Sequence, residues 1–155
     1  MRRRGWRFDL IVALDVLEHI EDDQTAARAL AGMLRPGGWL VVTVPAFGVL
    51  WDRHDEINEH WRRYTVGGVR GLLEGVGLRV ERARYLYRLL FAPKWVVARW
   101  NRWWGRGRPV AQHGVPPGVW NRLLEWVCVG EDRLLRGLPV PFGTSALAVA
   151  RRAWE

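Results

Sequence analysis

The 155 residues hold one cysteine, Cys128, and one lysine, Lys94. A lone cysteine excludes an intrachain disulfide and is compatible with a reducing compartment. Cys128 lies in an apolar stretch with no nearby base and reads as a packed, inert thiol. No apolar run reaches the roughly 18 residues of a membrane-spanning helix. The opening MRRRGWRFDLIVALDVLEHI has the basic head and apolar body of an export signal. Asp9 and Asp15 interrupt that body and no small-residue cleavage site follows, so a buried strand and a cytoplasmic location are expected. There is no internal repeat and no low-complexity tract. No G-x-G-x-x-G follows a strand-like run, which sets aside a dinucleotide-dependent dehydrogenase.

What is present suits one domain with a real core: 49% of the residues are hydrophobic. The net charge is +8, almost all of it arginine, and the pI is about 11.1. That balance favours anionic partners without choosing among nucleic acid, acidic lipid and a charged small molecule. An arginine-rich composition also arises from genomic base composition alone.

Phe8–Leu14 reads as a strand buried on both faces. Asp22 or Asp23 caps a helix running to about Leu34, with Ala27, Leu30, Ala31 and Leu34 at helical spacing. Arg35-Pro36-Gly37-Gly38 reads as the turn that stops it, and Trp39–Val44 as a second buried strand, parallel to the first. Residues 46–63 read as a long loop dense in Trp, His, Asp, Glu and Arg, the kind that carries function. Thr65 caps a further helix with Val69, Leu72, Leu73 and Val76 on one face, closed by Gly77. Leu78–Tyr87 reads as a third strand. Pro93 opens a helix on which Arg99, Arg102 and Arg106 fall to one side and Val96, Val97, Trp100 and Trp104 to the other. Gly105–Gly118 is Gly/Pro-rich and reads as a loop, with His113 exposed in it. Residues 117–136 form another amphipathic helix, and Ala146–Ala150 a last strand.

Polar residues cluster at the carboxyl end of the first strand, where open α/β sheets bind ligands. Asp15, Glu18 and His19 lie there. His60, Arg63 and Tyr64 lie in the following long loop. His19 suits a base or a substrate-orienting group, and equally a histidine that caps the next helix. Arg63 suits either an acceptor contact or a salt bridge to an acid such as Asp55. Asp52, Asp55, Glu56 and Glu59 read as a solvated loop face.

Three pieces resemble the class I S-adenosylmethionine-dependent methyltransferases. They are Asp9-Leu10-Ile11-Val12 through Leu14-Asp15-Val16-Leu17-Glu18-His19; Leu34-Arg35-Pro36-Gly37-Gly38 with Leu40–Pro45; and Asp55-Glu56-Ile57-Asn58-Glu59-His60-Trp61-Arg62-Arg63-Tyr64-Thr65 with its helix ending in Gly77-Leu78. The family's sheet runs in the order 3-2-1-4-5-7-6 with the seventh strand antiparallel. The resemblance implies an α/β, Rossmann-like half-sheet here, strands 4-5-7-6, with residues 88–138 as a helical insertion covering the substrate. It implies a single partial domain over residues 1–155, without the first strand and its glycine-rich loop. Its first strand would then be an unprotected sheet edge, prone to dimerise or aggregate.

The resemblance further implies S-adenosyl-L-methionine as cofactor, with Leu14, Asp15 and Leu17 lining its methionine end. His19 and His60 would be catalytic, and Arg63 and Tyr64 would border the acceptor. Asp15-x-x-Glu18-His19 is also similar to an acid-x-x-Glu-His metal cluster of some small-molecule and RNA methyltransferases, which His60 or His54 would complete. Asp15 stands where that cluster has glutamate, so no metal is assigned. The expected acceptor is a small or lipid-linked molecule, with peripheral membrane contact, and nucleic acid is disfavoured. Two rivals are a cofactor-dead interaction module and a basic nucleic-acid or membrane-surface binder. The Trp/Arg helix suits either a membrane interface or, as the favoured reading, a lid over the half-sheet.

Overall fold

The computed structural model describes residues 5–104, 118–135, 138 and 140–154. The chain runs β1 (Phe8–Leu14), α1 (Asp23–Met33), β2 (Leu34–Pro45), α2 (Arg53–Ile57), α3 (Val66–Gly75), β3 (Leu78–Leu86), α4 (Phe91–Trp104), α5 (Gly118–Leu135) and β4 (Ser145–Arg152). The four strands form one sheet in the order β1-β2-β4-β3. β1 and β2 are parallel, while β4 runs antiparallel to both neighbours. That is the 4-5-7-6 half-sheet expected from the sequence.

The helix ends follow from local chemistry. The Asp22 carboxylate accepts from Thr25 N at 2.9 Å and the Thr65 hydroxyl from Gly68 N at 3.0 Å, so α1 and α3 start with side-chain caps. Gly77, at φ +84°, makes the left-handed step after α3. No glycine caps the carboxyl end of α1, where Leu34 turns into extended backbone. Instead Arg152 reaches over from β4 and donates to the carbonyls of Ala31 (3.3 Å) and Leu34 (2.9 Å). Arg35-Pro36-Gly37-Gly38 is not the separate turn expected. It is the irregular start of β2: Leu34 already pairs with Phe8, and the register slips before Leu10 pairs with Trp39. Gly37 absorbs the slip at φ +74°, and the Trp154 ring lies over it where a Cβ would stand.

Alternation along the strands divides the sheet into two unlike faces. On one, Ala13, Leu40, Val42, Val44, Ala146, Ala148 and Ala150 are buried under α1 and α3, which contribute Ala27, Ala31, Val69 and Leu73. Three alanines in a row on β4 leave room for the helices to sit close. Each large side chain here, such as Leu40 or Leu73, contributes roughly 1.5–3 kcal/mol by burial. On the other face Leu10, Val12, Leu14 and Trp39 are exposed, and Arg151 lies between the rings of Trp39 (5.1 Å) and Trp154 (4.9 Å).

α4 and α5 fall between β3 and β4 in the chain. α4 begins at Phe91, so Pro93 stands in its first turn, where a missing N–H costs nothing. Glu131 of α5 accepts from the backbone N–H groups of Arg88 (2.7 Å) and Leu89 (2.8 Å), and Arg88 donates to Leu135 O (2.7 Å). The loop expected at Gly105–Gly118, with His113, lies outside the described residues apart from Gly118, which opens α5. Among the described residues no helix is long and apolar enough to cross a membrane.

Candidate functional site

Two chain segments leave the carboxyl ends of β1 and β2 side by side. After β1 the backbone at Asp15 takes φ +51°, a left-handed step that aspartate tolerates better than most residues. Asp15 N donates to Thr43 O (2.9 Å), and a 3-10 turn, Leu17–His19, follows. After β2 the expected structureless loop contains a 3-10 turn (Gly48–Leu50) and the five-residue α2. Asp52 caps α2 through a reciprocal pair: its carboxylate accepts from His54 N (2.8 Å), and Asp55 Oδ2 accepts from Asp52 N (2.9 Å).

The second segment is then fastened to the first. Trp61 N donates to Glu18 O (2.7 Å), and Arg62 pairs with Asp23 (3.1 Å) and donates to Glu21 O. Tyr64 is bridged to Ala46, and its hydroxyl donates to Asp23 (2.8 Å). Burial and the neighbouring Asp23 both push the Tyr64 phenol well above its ordinary value.

Asp55 organises the loop from inside. It is fully buried, not on the solvated face expected for it. Its two oxygens take the Arg63 guanidinium bidentately, both bonds at 2.9 Å, and its Oδ1 also meets His60 Nδ1 at 2.8 Å. Burial pushes its carboxyl up, but bonds from Arg63, Asp52 N and His60 outweigh that and hold it below the usual range. The Arg63 side chain is only 1% exposed, and its third bond goes to Ala46 O (3.1 Å). Arg63 and Tyr64 therefore lie inside the packing rather than on an acceptor-facing wall. Both are spent on protein partners, the reading in which Arg63 pairs with Asp55.

Glu18 is the opposite case. It is 1% exposed, and neither carboxylate oxygen has a hydrogen-bond partner. Burial raises its pKa to about 7. Beside it the rings of His19 and His60 meet edge to face, 4.6 Å between centroids. One ligand atom from each of Glu18, His19 and His60 lies within 4.8 Å of the others. His19 is exposed, and a cavity of about 400 Å³ opens there, lined by His19, Glu59, His60 and Trp61.

The remaining expected site residues divide. Leu14 and Asp15 are exposed at the end of β1, whereas Leu17 is fully buried in the core and backs the turn from beneath. Lys94 of α4 was not singled out in the sequence. Burial lowers its pKa, with the Arg63 charge adding to the effect, and Asp52 and Asp55 act on it in the opposite sense. Its only signal was being the single lysine. Nor was the aromatic cluster expected that joins the loop to α4: Phe47 stacks on Tyr85 (4.8 Å) and meets Phe91 (5.5 Å), which meets Phe142 (5.5 Å).

Comparisons with known proteins agree with this architecture. Among solved structures, the chain is similar to one in the complex between the Haloferax volcanii Trm112 methyltransferase activator and a methyltransferase. That match has TM-score 0.53 and 14% identity, over 95% of this chain and 55% of that one. It is similar to Haemonchus contortus phosphoethanolamine N-methyltransferase 2 in complex with S-adenosyl-L-methionine (TM-score 0.53, 13% identity, 94% of this chain and 33% of that one). It is also similar to the [4+2]-cyclase SpnF (TM-score 0.51, 16% identity, 100% of this chain and 54% of that one). The chain spans about half, or less, of the length of these structures, and at such identities the likeness is one of fold. No curated protein matches. The model of the methyltransferase domain family matches residues 2–115, and with that match over most of its length the chain belongs to that family.

Proposed function

We propose that this chain forms the acceptor-side half of an S-adenosylmethionine-dependent methyltransferase acting on a small or lipid-linked acceptor. One observation carries the reading: in a chain of this family, the turn after β1 and the loop after β2 bring Glu18, His19 and His60 together, and the two histidines line a cavity of about 400 Å³. When bound, S-adenosyl-L-methionine supplies an electrophilic methyl group, so the protein's task is positioning and proton removal.

The residues on this side fit such a cofactor. Leu14 offers exposed apolar surface, and Asp15, turned outward by its left-handed backbone, offers a carboxylate. Leu17 holds that turn from the core. His60 donates at Nδ1 to Asp55, which leaves Nε2 free to accept a proton from an acceptor hydroxyl or ammonium. His19, edge-on to it and exposed, orients the acceptor. No glycine-rich loop follows a strand in these 155 residues, and the residues named here form one side of the cofactor's site.

Calorimetric titration of the folded chain with S-adenosylhomocysteine tests this. Saturable binding that weakens at least about tenfold in Asp15→Ala is expected. No binding by a chain that circular dichroism shows to be folded would favour an interaction module.

A lipid-linked acceptor is favoured over a soluble one by α4. The helix packs on the Gly48–Leu50 turn. Trp95, Val96, Val97, Trp100 and Trp103 are exposed along it, with Arg99 between the rings of Trp95 (6.0 Å) and Trp103 (5.4 Å). Trp and Arg on an exposed helix suit a lipid interface. Retention on anionic vesicles, lost in Trp100→Ser/Trp103→Ser, is the expected result; equal retention of both proteins would remove the lipid reading.

A further inference from the structure

We propose that Glu18, His19 and His60 form a binding site for one first-row divalent transition-metal ion. The sequence motif that argued against a metal depended on Asp15 in place of glutamate. In the structure Asp15 is not part of the cluster, and the third ligand is the second histidine.

Three independent features point to an ion. First, the three side chains come from two separate segments, the 3-10 turn after β1 and the loop three residues beyond α2, yet their ligand atoms lie within 4.8 Å of one another. Bonds of about 2.0–2.2 Å to such a metal place cis ligands roughly 3–3.5 Å apart, so modest closing of the side chains completes the set. Second, Glu18 is buried at 1% exposure with both oxygens unpartnered, an arrangement that is costly unless something positive meets it. Third, His60 is already oriented as a metal-bound histidine is. Its Nδ1 sits 2.8 Å from the buried Asp55 carboxylate, which fixes the ring and leaves Nε2 as the ligand. The Arg63 pair in turn fixes Asp55. The parts that looked like acceptor contacts in the sequence are thus the support of the site.

The donor set selects the ion. Two imidazoles and one carboxylate suit zinc, iron(II) or cobalt(II), whereas magnesium and calcium favour oxygen ligands throughout. Three protein ligands leave positions open toward the cavity lined by Glu59 and Trp61. There the ion would bind an acceptor oxygen and ease loss of its proton, in place of His60 acting as base. That role rests on the methyltransferase reading; binding of the ion does not.

The test uses the whole 155-residue chain, stripped of metal by chelator and titrated with cobalt(II), read by visible absorption, and with zinc(II), read by calorimetry. One equivalent is expected to bind. Affinity should fall at least about 100-fold in His19→Ala, whose exposed side chain can be removed without touching the core, and in Glu18→Gln, while His54→Ala binds as the parent does. A folded chain that takes up neither ion overturns the proposal. So does binding that is unchanged in both His19→Ala and Glu18→Gln, since the ion then sits elsewhere. Titration of the same metal-free protein with S-adenosylhomocysteine is a separate reading, so failure of one leaves the other standing.

Discussion

Residues 46–64 and residues 91–104 flank the same end of the sheet and invert the usual rule of burial. The first is crowded with charge, yet Asp55, Arg63 and His60 lie inside it. The second is an apolar and aromatic helix, yet Val96, Val97, Trp100 and Trp103 face out. The difference is what each side chain is given as a partner. A buried charge is tolerated where its polar atoms are answered, as around Asp55, whereas these apolar groups of α4 stay largely in solvent. The inward-turned charges build a site, and the outward-turned apolar groups build a surface for something else to meet.

The sharpest way to break that contrast is to remove the carboxylate that makes the charged loop possible. Asp55→Ala leaves the Arg63 guanidinium buried without its bidentate partner, releases His60 and removes one half of the α2 cap. Loss of about 3–5 kcal/mol is expected by chemical denaturation, the usual cost of an unpaired buried charge. A loss under about 1 kcal/mol would mean that the loop is held mainly by its backbone bonds to Glu18 and Tyr64.

Glu18 tests the same rule with the opposite sign. Its carboxyl has no partner, and its pKa is raised from 4.5 to about 7 by burial. The folded chain therefore holds this proton more tightly than the unfolded one. Its contribution to stability is fully present below 4.5, is lost as the pH rises toward 7, and is flat above that. In metal-free protein Glu18→Gln should be more stable than the parent at pH 8, by about 1–3 kcal/mol, with the gap closing in acid. A less stable variant at pH 8 would show that Glu18 has a partner in solution.

The sequence carried the frame of this molecule further than its site. The positions of β1, α1, α3 and β4 were legible because apolar periodicity, the Asp22 and Thr65 caps and the Gly77 step are local signals, and the strand order followed from the resemblance, but β1 is covered on one face and not buried on both as expected. The start of β2 was not, since pairing of Leu34 with Phe8 is a tertiary contact that overrides the turn chemistry of Pro36-Gly37-Gly38. His19 and His60 were singled out separately, but their contact, the burial of Asp55 and the saturation of Arg63 depend on how two loops dock. In sequence Asp55 looks no different from Glu56 or Glu59. Lys94 and the Phe47–Phe91 contact were invisible for the same reason: both arise from where α4 lands.

The smallest expected effect on stability comes from the exposed apolar surface, and it is the most informative about assembly. Among the described residues β1 pairs only with β2, so its other edge is open, and Leu10, Val12 and Leu14 stand exposed on the uncovered face. Val12 is 53% exposed, so Val12→Lys should change stability by no more than about 0.5 kcal/mol, while Leu40→Ala on the covered face of β2 should cost about 2–5 kcal/mol. In light scattering the parent should run as a dimer or larger species and Val12→Lys should shift toward monomer, because a charge on an open edge strand blocks pairing. A parent chain that is already a stable, monodisperse monomer would show that exposed β1 is tolerated without a partner. The contrast between the covered and open faces would then be one of packing alone.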